Sequence, residues 1–201
     1  MIALFKSIFA RGKNIIFKPG DTWKAIKTEE TTVWDLFKNY LMFWAAVPAL
    51  ASIIGWSLIG YNVPPFIHFR VPLGGALVTA VLMYAFTLGA AWVGGQVISL
   101  LAGLFGAERN DVNGMKVSVY SYTPMLAAGI LYIFPALQIL VMLAGLYGLY
   151  LIYFGLPVIM GSPKEKSLAY CITIIIIMII INIIIGTVIS GVLKVFGPSV
   201  L

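Results

Sequence analysis

Four long apolar stretches, separated by short segments that contain charged residues, proline or glycine, follow residue 38. They cover about residues 39–60, 74–105, 117–160 and 168–193. Each is long enough for a helix to cross a hydrocarbon core of roughly 30 Å. The third stretch would be roughly 66 Å long as one helix, about twice that thickness. We therefore predict a turn at Phe134–Pro135 and five spans: 39–60, 74–105, 117–134, 136–160 and 168–193.

Residues 1–38 have a different pattern, in which apolar and basic positions recur at helical spacing. Residues 1–18 are predicted to form an amphipathic helix in the headgroup layer, with a frayed terminus as the alternative. Pro19–Gly20 should break that helix, and Asp21 is placed to cap a second short helix that carries Trp23. The chain therefore divides into an interfacial cytoplasmic segment, 1–38, and a transmembrane domain, 39–201.

Capping residues and prolines define the ends of the first span. Thr32 and Asp35 have the spacing of a capping box, which predicts that the helix leading into the span begins here. Pro48 should kink this helix. Three prolines lie between residues 61 and 73, so this segment is predicted to be a loop.

Composition indicates that the bilayer is the solvent of this chain. Hydrophobic residues make up 61% of it and charged residues 10%, whereas a soluble domain typically carries about 25% charged residues. We predict an all-α polytopic membrane protein, with a five-helix transmembrane bundle and an N-terminal interfacial amphipathic segment.

The basic residues predict the orientation. Seven of the thirteen lie before Asn39, and with five spans eleven fall on the side of the N-terminus. A single crossing by residues 117–160 would place ten there. Because Lys and Arg concentrate on the cytoplasmic side, we predict a multi-pass cell (inner) membrane protein with its N-terminus in the cytoplasm and its C-terminus outside. The expected partners of these charges are anionic lipid headgroups at the inner face, not nucleic acid.

Groups that support catalysis are missing from the predicted spans. All seven carboxylates fall in loops or in the N-terminal segment, so we expect neither proton-coupled pumping nor an intramembrane metal site. The chain has one histidine, His68 in an outer loop, and one cysteine, Cys171. We therefore predict no catalytic residue, no metal, no cofactor and no enzymatic activity.

The polar groups of the third span are mainly the hydroxyls of four consecutive residues, Tyr120, Ser121, Tyr122 and Thr123. They come directly before Pro124. The proline leaves a carbonyl of the preceding turn without its helical donor, and neighbouring hydroxyls can compensate. Two interpretations stay open: a packed kink, and a polar vestibule for a substrate or an ion.

Small residues recur on one face of the fourth span and of the last span. They are Ala144, Gly148 and Gly155, and Asn182, Gly186 and Ser190. Such faces allow helices to approach closely. Tyr147, Tyr150 and Tyr153 follow the other side of the fourth span. Helix packing is the leading interpretation for all of these residues, and a binding site is the alternative.

Four short elements together resemble one protein family. They are P-G-D-T-W-K-A-I at 19–26, Y-S-Y-T-P at 120–124, L-Y-L-I-Y-F-G-L-P at 149–157 and K-x-x-A-Y at 166–170. In order and spacing they are similar to the Yip (Ypt-interacting protein) domain family. The resemblance implies five spans and a cytoplasmic N-terminus. In eukaryotic members it implies binding of small Ypt/Rab GTPases and roles in vesicle traffic or membrane shape. With about 38 residues before the first span and no D-L-Y-G-P-like element, this chain resembles a compact prokaryotic member.

Three hypotheses about function follow. The first is a non-enzymatic, self-associating membrane scaffold or adaptor, linked to membrane organisation or trafficking. The second is a small transporter, pore or lipid-handling protein with a hydroxyl-lined cavity. The third is a docking surface for a cytoplasmic protein on the interfacial N-terminus, formed by Lys6, Arg11, Lys13, Trp23 and Lys24.

Overall fold

The computed structural model describes residues 2–63 and 67–195, and it describes side chains for residues 5–60, 70–181 and 183. Within these ranges the chain forms nine α-helices and one hairpin of short strands. The helices are α1 (Ile2–Phe17), α2 (Pro19–Thr28), α3 (Val33–Leu36), α4 (Met42–Ile53), α5 (Leu73–Leu101), α6 (Asp111–Ser121), α7 (Thr123–Ala128), α8 (Gln138–Ile159) and α9 (Lys164–Val195). Stretches of π- or 3₁₀-helix extend several of them: Phe37–Leu41, Ile54–Ile59, Ala102–Phe105, Gly129–Ile133 and Pro135–Leu137.

Three helical runs of the described residues are long and apolar enough to cross a membrane: Val33–Ile59, Leu73–Phe105 and Pro135–Ile159. They correspond to the first, second and fourth predicted spans. The predicted third span corresponds to α6, α7 and the stretch Gly129–Ile133. The predicted fifth span corresponds to α9, which is 32 residues long.

The first long run begins where the capping residues predicted it. The Thr32 hydroxyl accepts a hydrogen bond from the Asp35 backbone at 3.1 Å. The Asp35 carboxylate accepts one from the Thr32 backbone at 3.3 Å. These two bonds complete the capping box, because each satisfies a backbone donor that the first helical turn leaves without a partner. The prediction of this helix start is confirmed.

The predicted turn in residues 117–160 is also confirmed. Phe134 has an extended backbone, with φ −110° and ψ 98°, between two 3₁₀ stretches. A residue that precedes proline is biased away from the helical region. The chain therefore reverses at Phe134, and α7 and α8 pack against each other.

The predicted loop over residues 61–73 was wrong for seven of its positions: six lie in two strands, and Leu73 begins α5. Tyr61–Val63 (β1) and Ile67–Phe69 (β2) form an antiparallel pair, with Tyr61 opposite Phe69. The prediction relied on three prolines, but these fall between the strands or after them. The ladder therefore keeps all of its backbone donors.

The predicted helix break at Pro19–Gly20 and the predicted cap at Asp21 were both wrong: the cap position is Lys18, three residues before Asp21. Lys18 alone separates α1 from α2, and Pro19 is the first residue of α2. The first turn of a helix leaves its N–H groups unused, so proline is suited to this position. Asp21 lies inside that first turn, where a carboxylate interacts favourably with the helix dipole.

The N-terminal helices pack onto the long ones. α1 contacts α7, and α2 packs along α8, which also contacts α6. At the end of the bundle where α5 meets α6, the Glu108 backbone donates to the Met160 carbonyl at 3.0 Å. The Asn113 amide donates to the Ile159 carbonyl at 3.3 Å. These bonds hold the ends of α6 and α8 together.

Candidate functional site

The four consecutive hydroxyl residues of the third predicted span do not converge on one place. Successive residues of a helix point about 100° apart, so Tyr120 and Thr123 face one side and Ser121 and Tyr122 the other. Tyr40 is the partner on the first side, where its hydroxyl and the Thr123 hydroxyl share a buried hydrogen bond of 2.8 Å. The rings of Tyr40 and Tyr120 are 4.6 Å apart. Pro124 is buried in the first turn of α7.

Trp23 also lies on this first side, inside the protein and not on the exposed docking surface that the sequence predicted. Its side chain is fully buried and meets the edge of the Tyr120 ring at 6.2 Å and 89°. A methyl group at Gly155 would stand 3.0 Å from the indole ring. The large apolar area of the ring accounts for this burial, since α8 offers a glycine where the ring approaches.

Lys116 fixes the end of α2 to α6. Its ammonium donates to the carbonyls of Ile26 at 2.9 Å and Glu29 at 2.7 Å, and the residue is only 4% exposed. Burial lowers the pKa of the Lys116 ammonium, and the nearby Glu29 carboxylate opposes that shift. The Arg11 guanidinium forms an ion pair with the same Glu29 side chain. The sequence analysis counted Lys116 only as a basic residue on the cytoplasmic side. In the structure its side chain is buried and joins α2 to α6.

Of the predicted N-terminal surface, three lysines remain exposed: Lys6, Lys13 and Lys24. Arg11 is occupied by Glu29. Of the three fourth-span tyrosines, Tyr147 contacts the N-terminal helices. Tyr147 donates to the Ile16 carbonyl at 2.7 Å, whereas Tyr150 and Tyr153 are 45% and 40% exposed.

The glycines of α8 that the sequence singled out make close contacts with other helices of the same chain. A methyl group at Gly148 would stand 2.6 Å from the Ser121 carbonyl oxygen, so α8 and α6 are in backbone contact there. Gly155 faces Trp23, and Ala144 is half-buried. Asn182, Gly186 and Ser190 belong to the part of α9 whose side chains lie outside the described residues.

The second side of α6 and α7 borders a cleft of about 640 Å³. α5, α8 and α9 form its other walls. It is lined by Gly94 and Ile98 of α5, by Ser118, Ser121, Tyr122 and Met125 near the α6–α7 junction, by Met142, Gly145, Leu146, Gly148, Leu149 and Ile152 of α8, and by Ile174, Ile175, Met178, Ile179 and Ile183 of α9. This volume is within the range of roughly 300–1,000 Å³ typical of small-molecule sites.

The few polar groups of the cleft differ in how they are satisfied. The Ser118 hydroxyl donates to the Ala91 carbonyl at 2.7 Å. Ser121 is 3% exposed, and within the described part of the chain its Oγ has no hydrogen-bond partner. A buried hydroxyl without a partner costs about 1–3 kcal/mol. This hydroxyl is a polar feature of the cleft that the described residues leave without a partner.

Most of the cleft could not be identified from the sequence. Ser121 and Tyr122 were singled out as hydroxyls, but Gly145, Met125 and Met178 were not. These three lie in uniformly apolar helices, where no change of polarity marks the face that borders a cavity. Residues suited to metal binding do not gather either: the described residues hold no group of three His, Cys, Asp or Glu side chains placed to share an ion.

Comparisons with known proteins give consistent results. The family model of the Yip1 domain matches residues 13–197. "Inner membrane protein YohC" of Escherichia coli (strain K12) is 25% identical over 155 residues, which cover 76% of this chain and 80% of the relative. The protein of the same name from Escherichia coli O6:H1 gives the same values. No solved structure matches.

Proposed function

This chain belongs to the Yip1 domain family, and from that premise we propose that it is an inner-membrane protein that holds a lipid-like molecule in the cleft between α8 and α9. The proposed role is non-enzymatic. It corresponds to the lipid-handling form of the second hypothesis, and the single observation that supports it is the cleft of about 640 Å³.

The proposed topology has five spans, with the N-terminus in the cytoplasm and the C-terminus outside. The bias of basic residues towards the N-terminal side supports the orientation, and the name of the relative YohC supports the inner membrane. A reporter that is active only outside the cytoplasm, fused after residue 201, should be active. Activity of a cytoplasmic reporter at the same position would instead require an even number of spans.

The rim of the cleft indicates what it faces. Met142, Leu146 and Ile179 are apolar, lie on α8 and α9, and are 58%, 55% and 53% exposed. Such side chains on membrane-spanning helices contact lipid rather than water. An apolar void left empty loses the dispersion contacts of the atoms that line it. A lipid chain that enters from the side restores these contacts, whereas a pore for ions would need a polar path.

Retention of a photoactivatable lipid by the purified protein tests this proposal. Phosphatidylethanolamine with a diazirine in one acyl chain is added in mild detergent, free lipid is removed, and the adducts are mapped by mass spectrometry. We expect adducts on Met142, Leu149 and Met178. Adducts spread evenly over all lipid-facing helices, or no retained lipid, would contradict the proposal.

A matched pair of glycine substitutions supplies the control. A methyl group at Gly145 would meet Met125 at 3.5 Å, inside the cleft, whereas nothing lies within 4 Å of the same position at Gly89 on α5. Gly145→Leu fills part of the cleft and should lower retained lipid about fivefold, the effect of roughly 1 kcal/mol of lost contact. Gly89→Leu should leave retention unchanged.

Self-association as a membrane scaffold is the second candidate. The observation in its favour is the outward face of α5, where Ala85 and Gly89 are exposed and Gly89 has open space around it. Gly148 packs against Ser121 and Gly155 against Trp23 of the same chain, so neither is available for contacts between copies. Cross-linking in native membranes should give a dimer that Gly89→Leu weakens and Gly145→Leu does not. A protein that is monomeric in the membrane would remove this candidate.

For the third hypothesis, a docking surface on the N-terminal helices, three of the five predicted residues remain exposed. Lys6, Lys13 and Lys24 remain exposed on the N-terminal helices and could contact anionic headgroups or a cytoplasmic protein. Replacing all three by Gln should reduce recovery of such a partner from membranes. Unchanged recovery would show that these lysines set the orientation of the protein in the membrane and do not bind a partner.

A further inference from the structure

The polar groups of the cleft lie towards one end of it. Measured along α6 from Asp111, Ser118 and Ser121 are roughly 10 and 15 Å from the start of the helix. The cleft residues nearest the opposite end of the bundle, Met142 of α8 and Ile183 of α9, are apolar. The cleft therefore has a more polar inner part and a hydrocarbon-like outer part.

Ser121 is a polar group of this inner part with hydrogen-bonding capacity to spare. Its hydroxyl is buried and, as far as the described residues extend, no protein atom pairs with it. The Ser118 hydroxyl in the same cleft is already bonded to the Ala91 carbonyl. Within the hydrocarbon region there is no bulk water to pair with a hydroxyl. Because its Oγ is shielded from water in this conformation, a bound molecule with an oxygen at this depth can supply the missing partner only when the Ser121 side chain rotates towards the cleft.

We infer that the occupant of the cleft is an amphiphile from the inner leaflet, with an ester or hydroxyl oxygen hydrogen-bonded to Ser121 and a hydrocarbon chain that runs outwards along Met142, Leu146 and Ile179. This inference rests on the proposed function, because it concerns the same cleft. A serine hydroxyl can both donate and accept, so it fits a carbonyl oxygen as well as a hydroxyl. The predicted ligand class is therefore acylglycerols and related lipids, not plain hydrocarbons.

Two probes with the same diazirine-labelled chain test the inference: a monoacylglycerol, and the alkane that lacks the polar end. Wild-type protein should retain the monoacylglycerol more strongly than the alkane. Ser121→Ala should lower that preference about fivefold, which corresponds to the loss of one hydrogen bond. Ser118→Ala is the matched control, because it removes a hydroxyl from the same cleft that is already paired, and it should keep the preference.

The outcomes separate the inference from the proposal beneath it. If wild-type protein retains both probes equally, or if Ser121→Ala keeps the full preference, the role of Ser121 is wrong while lipid binding stands. If Ser118→Ala loses the preference as much as Ser121→Ala does, the effect belongs to the shape of the cleft and the inference is also wrong. If neither probe is retained by the wild-type protein, the proposed function itself fails.

Discussion

The two sides of α6 and α7 differ in how completely the rest of the chain covers them. On the N-terminal side, Trp23 is buried, the hydroxyls of Tyr40 and Thr123 pair, and Lys116 is bonded to two carbonyls. On the cleft side, Ser121 is unpaired within the described residues and the neighbouring walls are open. The first side has the features of a structural contact and the second those of a binding site.

The N-terminal side is not completely satisfied. The indole nitrogens of Trp23 and Trp44 are buried and have no hydrogen-bond partner among the described residues. Both rings nevertheless pack against aromatic side chains: Trp23 meets Tyr120, and Phe9 and Phe43 meet Trp44 at 5.3 and 5.7 Å. Packing of these rings therefore outweighs the unpaired nitrogens. Ser121 has no comparable packing area to offset its unpaired hydroxyl.

Replacing Trp23 should have the largest effect. Trp23→Ala removes a fully buried ring between α2, α6 and α8, and we expect a loss of about 3–5 kcal/mol in the free energy of unfolding. Unfolding in mixed detergent micelles measures it. Trp34→Ala is the control, because Trp34 is 62% exposed, and it should change stability little. Equal losses in both variants would contradict the assigned role of Trp23.

Lys116→Met should have the next largest effect. The substitution keeps the apolar stem but leaves the Glu29 carbonyl without a donor and removes one of the two donors of the Ile26 carbonyl, which should cost about 2–3 kcal/mol. Protease cleavage near residues 24–30 should become faster, because the end of α2 is released. The exposed Lys24 provides the control variant Lys24→Met. A cleavage rate for Lys116→Met equal to that of this control would show that the lysine does not hold α2.

A pair of glycine-to-alanine substitutions should change stability in opposite directions. Gly148→Ala places a methyl group against the Ser121 carbonyl and should destabilise the protein by about 1–3 kcal/mol. Gly89→Ala has open space and should stabilise it by up to about 1 kcal/mol, since alanine favours the helix. Thermal unfolding in detergent compares the two. Stabilisation by both substitutions would mean that α8 and α6 are not in backbone contact at Gly148.

The smallest difference is expected between two hydroxyls. Tyr40→Phe leaves the Thr123 hydroxyl without its partner and should cost about 1 kcal/mol. Ser121→Ala removes a hydroxyl that has no partner in the described chain, so lipid-free protein should be unchanged or slightly more stable. Denaturation of the two variants side by side measures this contrast. A larger loss for Ser121→Ala would show that its hydroxyl is paired in the folded protein.

Local features were predictable where a single residue determines the backbone. Thr32 with Asp35 gave the start of the first long helix, and Pro135 gave the reversal at Phe134. The prediction failed where one signal can act in two ways. Pro19 was treated as a helix breaker but is the first residue of α2, and the prolines near residues 61–73 hid the paired segments β1 and β2.

The candidate site was less predictable than the helices. Ser121 was found because a hydroxyl stands out in an apolar helix, but the sequence grouped it with Tyr120 and Thr123, which face the other side. The interfacial surface included Trp23, which is buried, and Arg11, which is paired with Glu29. Neither the burial nor the ion pair could be read from spacing, because the burial depends on how α2 packs against α8 and the ion pair on how α1 packs against α2.

Membership of the membrane class, the helices themselves and the bias of charge were determined by the sequence alone, because each follows from composition or from neighbouring residues. The tertiary structure decided which face of each helix is buried and which borders lipid or the cleft. The reason is that lipid is as apolar as a protein core, so the packed and the lipid-facing sides of a membrane helix carry similar side chains. In α5, Leu77 and Val81 are as apolar as the buried Ala91 and Ile98, and only their positions in the bundle distinguish them.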